Sequence, residues 1–174
     1  MTIIPTLDTE RLILRPHRAS DFDAYRAMWG HPDVTRFIGG TPLSREASWS
    51  KLMRVMGVWQ ALGFGFFAIE ERATGRFIGE AGFHDMRRDM TPSIEGTLEA
   101  GWGLVPDAHG KGYATEAMRV AIAWADAQDF GMSMTCIIAE ANLPSQRVAD
   151  KLGFAAPELG AYLEHPILVY RRPM

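Results

Sequence analysis

The chain has 174 residues, 47% of them hydrophobic and 22% charged, which suits one globular domain over residues 1–174 and excludes a disordered or fibrous chain. A net charge of -3 argues against a general nucleic-acid binder, and a single cysteine, Cys136, excludes an intrachain disulfide. The opening MTIIPTLDTERL has no basic, apolar leader, and no run approaches the ~20 apolar residues of a membrane helix, so the expectation is a cytoplasmic protein with no membrane or nucleic-acid partner.

In residues 10–16, ERLILRP, Leu12 and Leu14 fall inward, with the charged Glu10, Arg11 and Arg15 flanking the apolar run, at the period of a strand, and Pro16 ends it. Ser20, with Asp23 three residues later, makes a capping-box pattern that opens a helix. Phe22, Tyr25, Met28 and Trp29 share one face of it. Gly39, Gly40 and Pro42 break the chain. Ser44 opens a second helix carrying Trp49, Leu52, Met53, Met56 and Trp59 at helical spacing, with Gly63 as its C-cap. FGFFAIEE and RFIGEAGFHDM, joined by RATG, read as a β-hairpin. Residues 89–96 are a polar loop, and TLEAGWGLV is a third consecutive strand. A helix over 114–131, a buried strand over 133–140, a short helix in NLPSQRVADKLG and a last strand over 167–173 complete the chain. The order β, α, α, β, β, β, α, β, α, β describes one α/β domain with a mixed sheet and about four helices.

The turn PDAHGKGYATEA sits between the third of these consecutive strands and the helix after it. A P-loop would need a hydroxyl after Gly110-Lys111, and Gly112 stands there. A dinucleotide fingerprint would need a third glycine where Thr115 stands, and no acidic residue ends a second strand about 20 positions on. A nucleotide enzyme is therefore disfavoured. Glycines at 110 and 112 permit positive φ and close backbone approach, and the following amides open a helix N-terminus that favours an anion. The turn alone leaves two readings open, a phosphate seat or a plain connection.

HGKGYATEA resembles the acyl-coenzyme A pyrophosphate loop of the GNAT acetyltransferase superfamily. His109, Gly112 and Ala114 occupy its defining places, with His109 where the family has Arg or Gln. TERLILRPHRASDFDAY is similar to the opening strand and helix of the branch that includes the ribosomal-protein alanine acetyltransferases. EAGWGL is similar to its fourth strand, and NLPSQRVADKLGF to its Asn-x-x-Ser…Lys-Leu-Gly-Phe segment. These stretches cover most of the chain in family order. The resemblance implies the GNAT fold, of α/β (α+β) class: a central mixed, mostly antiparallel sheet, splayed between the fourth and fifth strands and flanked by about four helices. It implies acetyl-CoA as cosubstrate, no metal, and direct attack by a primary amine on the thioester. The amine belongs to a protein N-terminus or a small molecule, and homodimers are common among relatives. A non-catalytic acyl-CoA-binding module on the same fold is the alternative.

The same resemblance implies the site. Main chain of Leu104 and Val105 pairs with pantetheine in the splay, and an N–H there polarises the thioester. His109, Gly110, Lys111, Gly112, Tyr113, Ala114 and Thr115 hold the pyrophosphate, Asn142 contacts the pantetheine arm, and Lys151 lies toward the 3′-phosphate. Many relatives protonate the leaving thiolate with a tyrosine where Ala149 stands here, so Ser145 takes that role. Glu99 is the first candidate base for the amine and His84 the second, with Glu80 on the same strand face as His84. Cys136 reads as a buried structural thiol. The five histidines show no metal-site spacing. Trp29, Trp49, Trp59 and Phe37 belong to the helical acceptor wall or to its packing.

Overall fold

The computed structural model describes residues 3–173. Nine strands form one sheet among the described residues: β1 Leu7–Asp8, β2 Leu12–Arg15, β3 Phe66–Glu71, β4 Arg76–His84, β5 Met90–Thr91, β6 Leu98–Leu104, β7 Met134–Ile138, β8 Glu158–Tyr162 and β9 His165–Arg172. The helices are α1 Phe22–Trp29, α2 Pro32–Thr35, α3 Arg45–Leu62, α4 Tyr113–Gln128 and α5 Leu143–Lys151. The spatial order is β1-β2-β3-β4-β6-β7-β9-β8-β5. Only β6 and β7 run parallel. This is the mixed, mostly antiparallel sheet expected. No described helix is long and apolar enough to cross a membrane.

Local chemistry sets most boundaries as expected. The Ser44 hydroxyl accepts the Ala47 N–H at 3.1 Å to start α3, and Gly63 ends it at φ 78. The hairpin of β3 and β4 turns through Gly75 at φ 67. The capping box at Ser20 and Asp23 does not form. Asp21 caps instead, because its carboxylate accepts the Arg18 N–H at 2.8 Å and is clamped by Arg15 at 2.8 and 2.9 Å. A one-turn 3-10 helix over Ala19–Asp21 therefore precedes α1. The hairpin of β8 and β9 turns at Leu163 and Glu164, both at positive φ. Neither is the Gly, Asn or Asp that marks such a turn, so β8 has no sequence signal.

A β-bulge in β4 determines what each face of the sheet carries. Ile69 pairs with Gly79 and Glu70 with Phe77, which leaves Ile78 as the extra residue. Ile78, Ala81 and Phe83 face α4 and join a core with Leu12, Leu14, Phe67, Met118 and Ala121. Phe77 turns to the opposite face, among Tyr25, Met28, Trp29 and Leu52 of α1 and α3. Glu80 meets Tyr25 and His84 meets Phe66 on that second face.

The splay lies where it was expected. β4 pairs with β6 at six positions and β7 with β9 at five, but β6 pairs with β7 only at Leu98↔Met134 and Glu99↔Thr135. The hydroxyls of Thr97 and Thr135, 2.7 Å apart and buried, hold the closed end. Beyond Glu99 the two strands diverge.

Candidate active site

The glycine turn is built to expose backbone. Gly110 and Gly112 sit at φ 73 and 79, where a side chain would be strained. Gly112 is the N-cap of α4 and no side chain caps the helix, so its first-turn N–H groups face outward without a side-chain partner. The turn is held from behind. Arg11 donates to the Lys111 carbonyl at 3.0 Å, pairs with Glu116 at 2.6 Å and lies over the Tyr113 ring. The Tyr113 hydroxyl donates to Glu71 at 2.9 Å, and Arg76 pairs with Asp107 at 2.7 Å. Gly112, Thr115, Arg119 and Lys151 line one open cleft beside the N-terminus of α4. Arg119 and Lys151 make no ion pair among the described residues, so two uncommitted cations flank the amides. Thr115 and Lys151 were anticipated there, and Arg119 was not.

The gap between β6 and β7 offers main-chain groups, though not at both expected residues. The Val105 N–H already donates to the Ile78 carbonyl at 2.9 Å, on the β4 side. The Leu98 N–H donates to the Ser133 carbonyl at 2.9 Å, on the β7 side. Alternation along the strand therefore turns Trp102 and Leu104 toward the gap and Val105 away from it. His109 explains its own departure from the Arg-or-Gln pattern, since its Nε2 lies 2.9 Å from the Leu104 carbonyl and fastens the turn to the end of β6.

Across the gap stands the start of α5. The Asn142 Oδ1 accepts the Ser145 N–H at 3.2 Å, and so caps the helix and leaves the amide Nδ2 for another partner. The Trp102 indole N–H donates to the Ser145 Oγ at 3.3 Å. That bond occupies a lone pair and leaves the Ser145 O–H free to donate. Trp102 was not singled out from the sequence. Its even position on β6 was the signal, because it puts Trp102 on the same face as Ala100 and Leu104. Ala149 is fully buried in the core and carries no chemistry.

On the α1 and α3 face, His84 and Glu99 are directly opposite in the β4–β6 ladder. The His84 Nε2 is 3.1 Å from the Glu99 Oε1, and the Arg88 Nε is 2.8 Å from the Glu99 Oε2. Burial alone would push the Glu99 carboxyl up, but His84 and Arg88 outweigh it and hold it below the usual carboxylate range. Glu99 is therefore ionised at neutral pH and accepts only. A neutral His84 that donates to Glu99 carries its proton on Nε2, which leaves the Nδ1 lone pair open. Arg88 also donates to the Tyr162 hydroxyl at 2.9 Å, which ties this pair to β8. Beyond Glu99 the same face of β6 bears only Gly101 and Gly103. A methyl group at 101 would come within 2.8 Å of the Phe66 ring.

A cavity of about 210 Å³ opens between α3 and β4, with Lys51, Arg54, Phe66, Glu80 and His84 among its walls. Glu80 is 2% exposed, 3.3 Å from the His17 Nε2 and 3.9 Å from the Lys51 Nζ, and it accepts the Tyr25 hydroxyl at 3.4 Å. Its burial raises the carboxyl, while His17 and Lys51 bring it below the ordinary value. Glu80 and His84 thus share one cavity, as their spacing implied. Trp29 and Trp59 are core residues, and Trp49 stands 41% exposed on α3. Cys136 is buried on β7, where burial pushes its thiol up and out of reach as a nucleophile.

Known proteins resemble this chain in sequence and fold. The family model described as acetyltransferase (GNAT) domain matches residues 11–155. The uncharacterized N-acetyltransferase p20 of Bacillus licheniformis is 28% identical over 156 residues, covering 86% of this chain and 82% of that protein. The solved acetyltransferase from Agrobacterium tumefaciens strain C58 is 30% identical and superposes with a TM-score of 0.84, over 99% of this chain and 96% of that one. The ribosomal L7/L12 α-N-protein acetyltransferase RimL, solved in complex with coenzyme A, shares the fold at TM-score 0.77 and 15% identity, over 98% of both chains. With a family match across most of its length and a sheet that opens where the family's does, the chain belongs to the GNAT acetyltransferases and is an enzyme of that class.

Proposed function

We propose that this protein transfers the acetyl group of acetyl-CoA to a primary amine by direct attack, with no covalent enzyme intermediate. The observation that carries the proposal is one opening in the sheet with complementary chemistry on each side. The His84–Glu99 pair lies on one face, and the Trp102–Ser145 pair bridges the gap from the other. Acetyl-CoA, seated with its pyrophosphate on the amides after Gly110 and Gly112, supplies the activated acetyl group. Main chain of Leu104 and Trp102 lines the pantetheine path, Asn142 offers its Nδ2, and Lys151 and Arg119 face the 3′-phosphate. His84 Nδ1 takes the ammonium proton of the acceptor while ionised Glu99 holds the ring. Glu99 is thereby a positioning group rather than the base, because Arg88 and His84 already stabilise its charge. Ser145 gives its proton to the departing thiolate.

The first test is calorimetry of acetyl-CoA with the wild type and Gly112→Trp, both confirmed as folded. Micromolar binding by the wild type, weakened at least tenfold in the variant, is the expected result. No binding by the wild type would overturn the proposal.

Ser145 is tested separately. A thiol pKa of about 8.5 means the thiolate needs only modest help. Ser145→Ala should therefore lower kcat by no more than the roughly 100-fold low end of general acid catalysis. Trp102→Phe keeps the ring and loses one neutral hydrogen bond, worth about 0.5–1.5 kcal/mol. That is roughly two- to tenfold in kcat. In the Ser145→Ala background the second change should add nothing, and additive losses would separate Trp102 from Ser145.

A further inference from the structure

The cavity between α3 and β4 contains polar groups that its own walls leave unsatisfied. The Lys51 ammonium has three protons to donate, yet its nearest carboxylate oxygen is 3.9 Å away, beyond hydrogen-bond reach, and it rests over the Trp29 ring at 4.1 Å. Burial pushes this ammonium below its ordinary pKa, which marks a cation short of partners. The Glu80 Oε2 is buried with only the His17 Nε2, 3.3 Å away, beside it and makes no well-formed hydrogen bond. Arg54, one turn after Lys51 on α3, is exposed at the cavity wall and has no hydrogen bond or ion pair among the described residues.

Two of the nearby carboxylates are committed to other groups. Asp85 accepts the Arg87 and Gly96 N–H groups at 3.1 and 3.0 Å. Glu99 is paired with Arg88 and His84. Glu80 faces His17, Tyr25 and Lys51. Formal charges on the cavity lining balance, Lys51 and Arg54 against Glu80 and Asp85, but among the described residues the two cations are the groups left without a hydrogen-bonded partner. A ligand that brings only cations, such as a polyamine or an aminoglycoside, meets like charge at Lys51 and Arg54. Size points the same way. About 210 Å³ is the room of roughly seven waters at ~30 Å³ each. That is below the ~300 Å³ at which drug-sized sites begin. Val55, Val58, Phe66 and Met86 supply the apolar part of the wall.

We infer that this cavity takes a free amino acid as the acceptor, with its amino group toward Glu80 and His84 and its carboxylate on Arg54 and Lys51. The inference rests on the placement of the acceptor at His84 proposed above and narrows it from any primary amine to one that carries its own carboxylate. A carboxylate supplies the acceptors that Lys51 lacks, and the ammonium finds a counter-charge in Glu80.

The experiment is equilibrium binding to the CoA-saturated protein. The probes are L-alanine, L-methionine, the carboxamide of each, and trialanine amide. The expected result is about tenfold or tighter binding of each acid than of its amide. Arg54→Ala should narrow that ratio to about twofold or less, and Arg54→Lys should restore most of it. Both changes are on an exposed side chain, and thermal melts confirm the fold. Equal binding of acid and amide, a ratio untouched by Arg54→Ala, tighter binding of trialanine amide than of every acid, or no binding of any probe would each overturn the inference. CoA release is measured in parallel with acetyl-CoA. Selective binding of the acids without CoA release supports the cavity's ligand while sinking the transferase role of His84, so the two failures are distinct.

Discussion

His84→Ala is expected to lower kcat by about 100- to 10,000-fold, the usual contribution of a positioned acid or base, with acetyl-CoA affinity and melting temperature nearly unchanged. The reason is the local charge arrangement. Glu99 is held ionised by Arg88 and His84, so it has little tendency to take a proton from the acceptor. Its carboxylate instead directs the His84 proton to Nε2 and leaves Nδ1 as the acceptor. Rates at neutral pH separate the two residues. The Glu99 carboxyl titrates below the usual carboxylate range, so protonating Glu99 affects only the acid extreme. A loss in Glu99→Gln clearly smaller than that in His84→Ala identifies His84 as the base, and a loss as large would make Glu99 the base. Glu99→Gln should still lower kcat, since an amide can hold either imidazole tautomer and no longer selects one.

Glu80→Ala is expected to destabilise the fold by about 3–5 kcal/mol, the cost of removing one partner from a buried charged group. For a chain of this size that corresponds to roughly 6–20 °C in melting temperature. Four elements converge on this carboxylate: Glu80 itself on β4, His17 from the segment after β2, Tyr25 from α1 and Lys51 from α3. Its loss leaves the partly buried Lys51 ammonium and the buried His17 ring without the carboxylate they face. The sign of the pH dependence follows from the lowered carboxyl. Glu80 contributes fully above the ordinary value of 4.5, and its contribution is lost as pH falls through the lower value it has in the fold. Wild-type stability should therefore fall in that acid window, and the Glu80→Gln variant should lose stability more gently there. A Glu80→Ala protein as stable as wild type in chemical denaturation would show that the cluster is a neutral arrangement rather than a structural tie.

Most of the fold was legible because its signals are local. The alternation at Leu12 and Leu14, the Ser44 cap, the Gly63 stop and the RATG turn each act within a few residues of chain. The missing elements lack such signals. β8 turns into β9 through Leu163 and Glu164, which carry no turn chemistry. β1 and β5 are two residues each and exist only because a neighbouring strand receives them. The capping box at Ser20 failed for a related reason. Arg15 reaches forward to Asp21, and this pairing, reinforced by Glu70 at 2.6 Å from another strand, outcompetes the local cap.

Short-range backbone requirements are written in the residues themselves: the glycines at 110 and 112, the helix that follows them, the Asn142–Ser145 spacing, and β2, β3, β4, β6, β7 and β9 in their order. Which groups meet was settled by tertiary packing. A single extra residue at Ile78 turns Phe77 and Glu80 to one face, where α1 and α3 surround the carboxylate. Cross-strand register puts His84 opposite Glu99, and Arg88, whose side chain returns from the following loop, pairs with the same carboxylate. The direction of a main-chain N–H is likewise a matter of register, which is why Val105 faces β4 and Leu104 faces the gap. Pairings between residues many positions apart depend on strand twist and bulge position, and no local pattern of residue types encodes them.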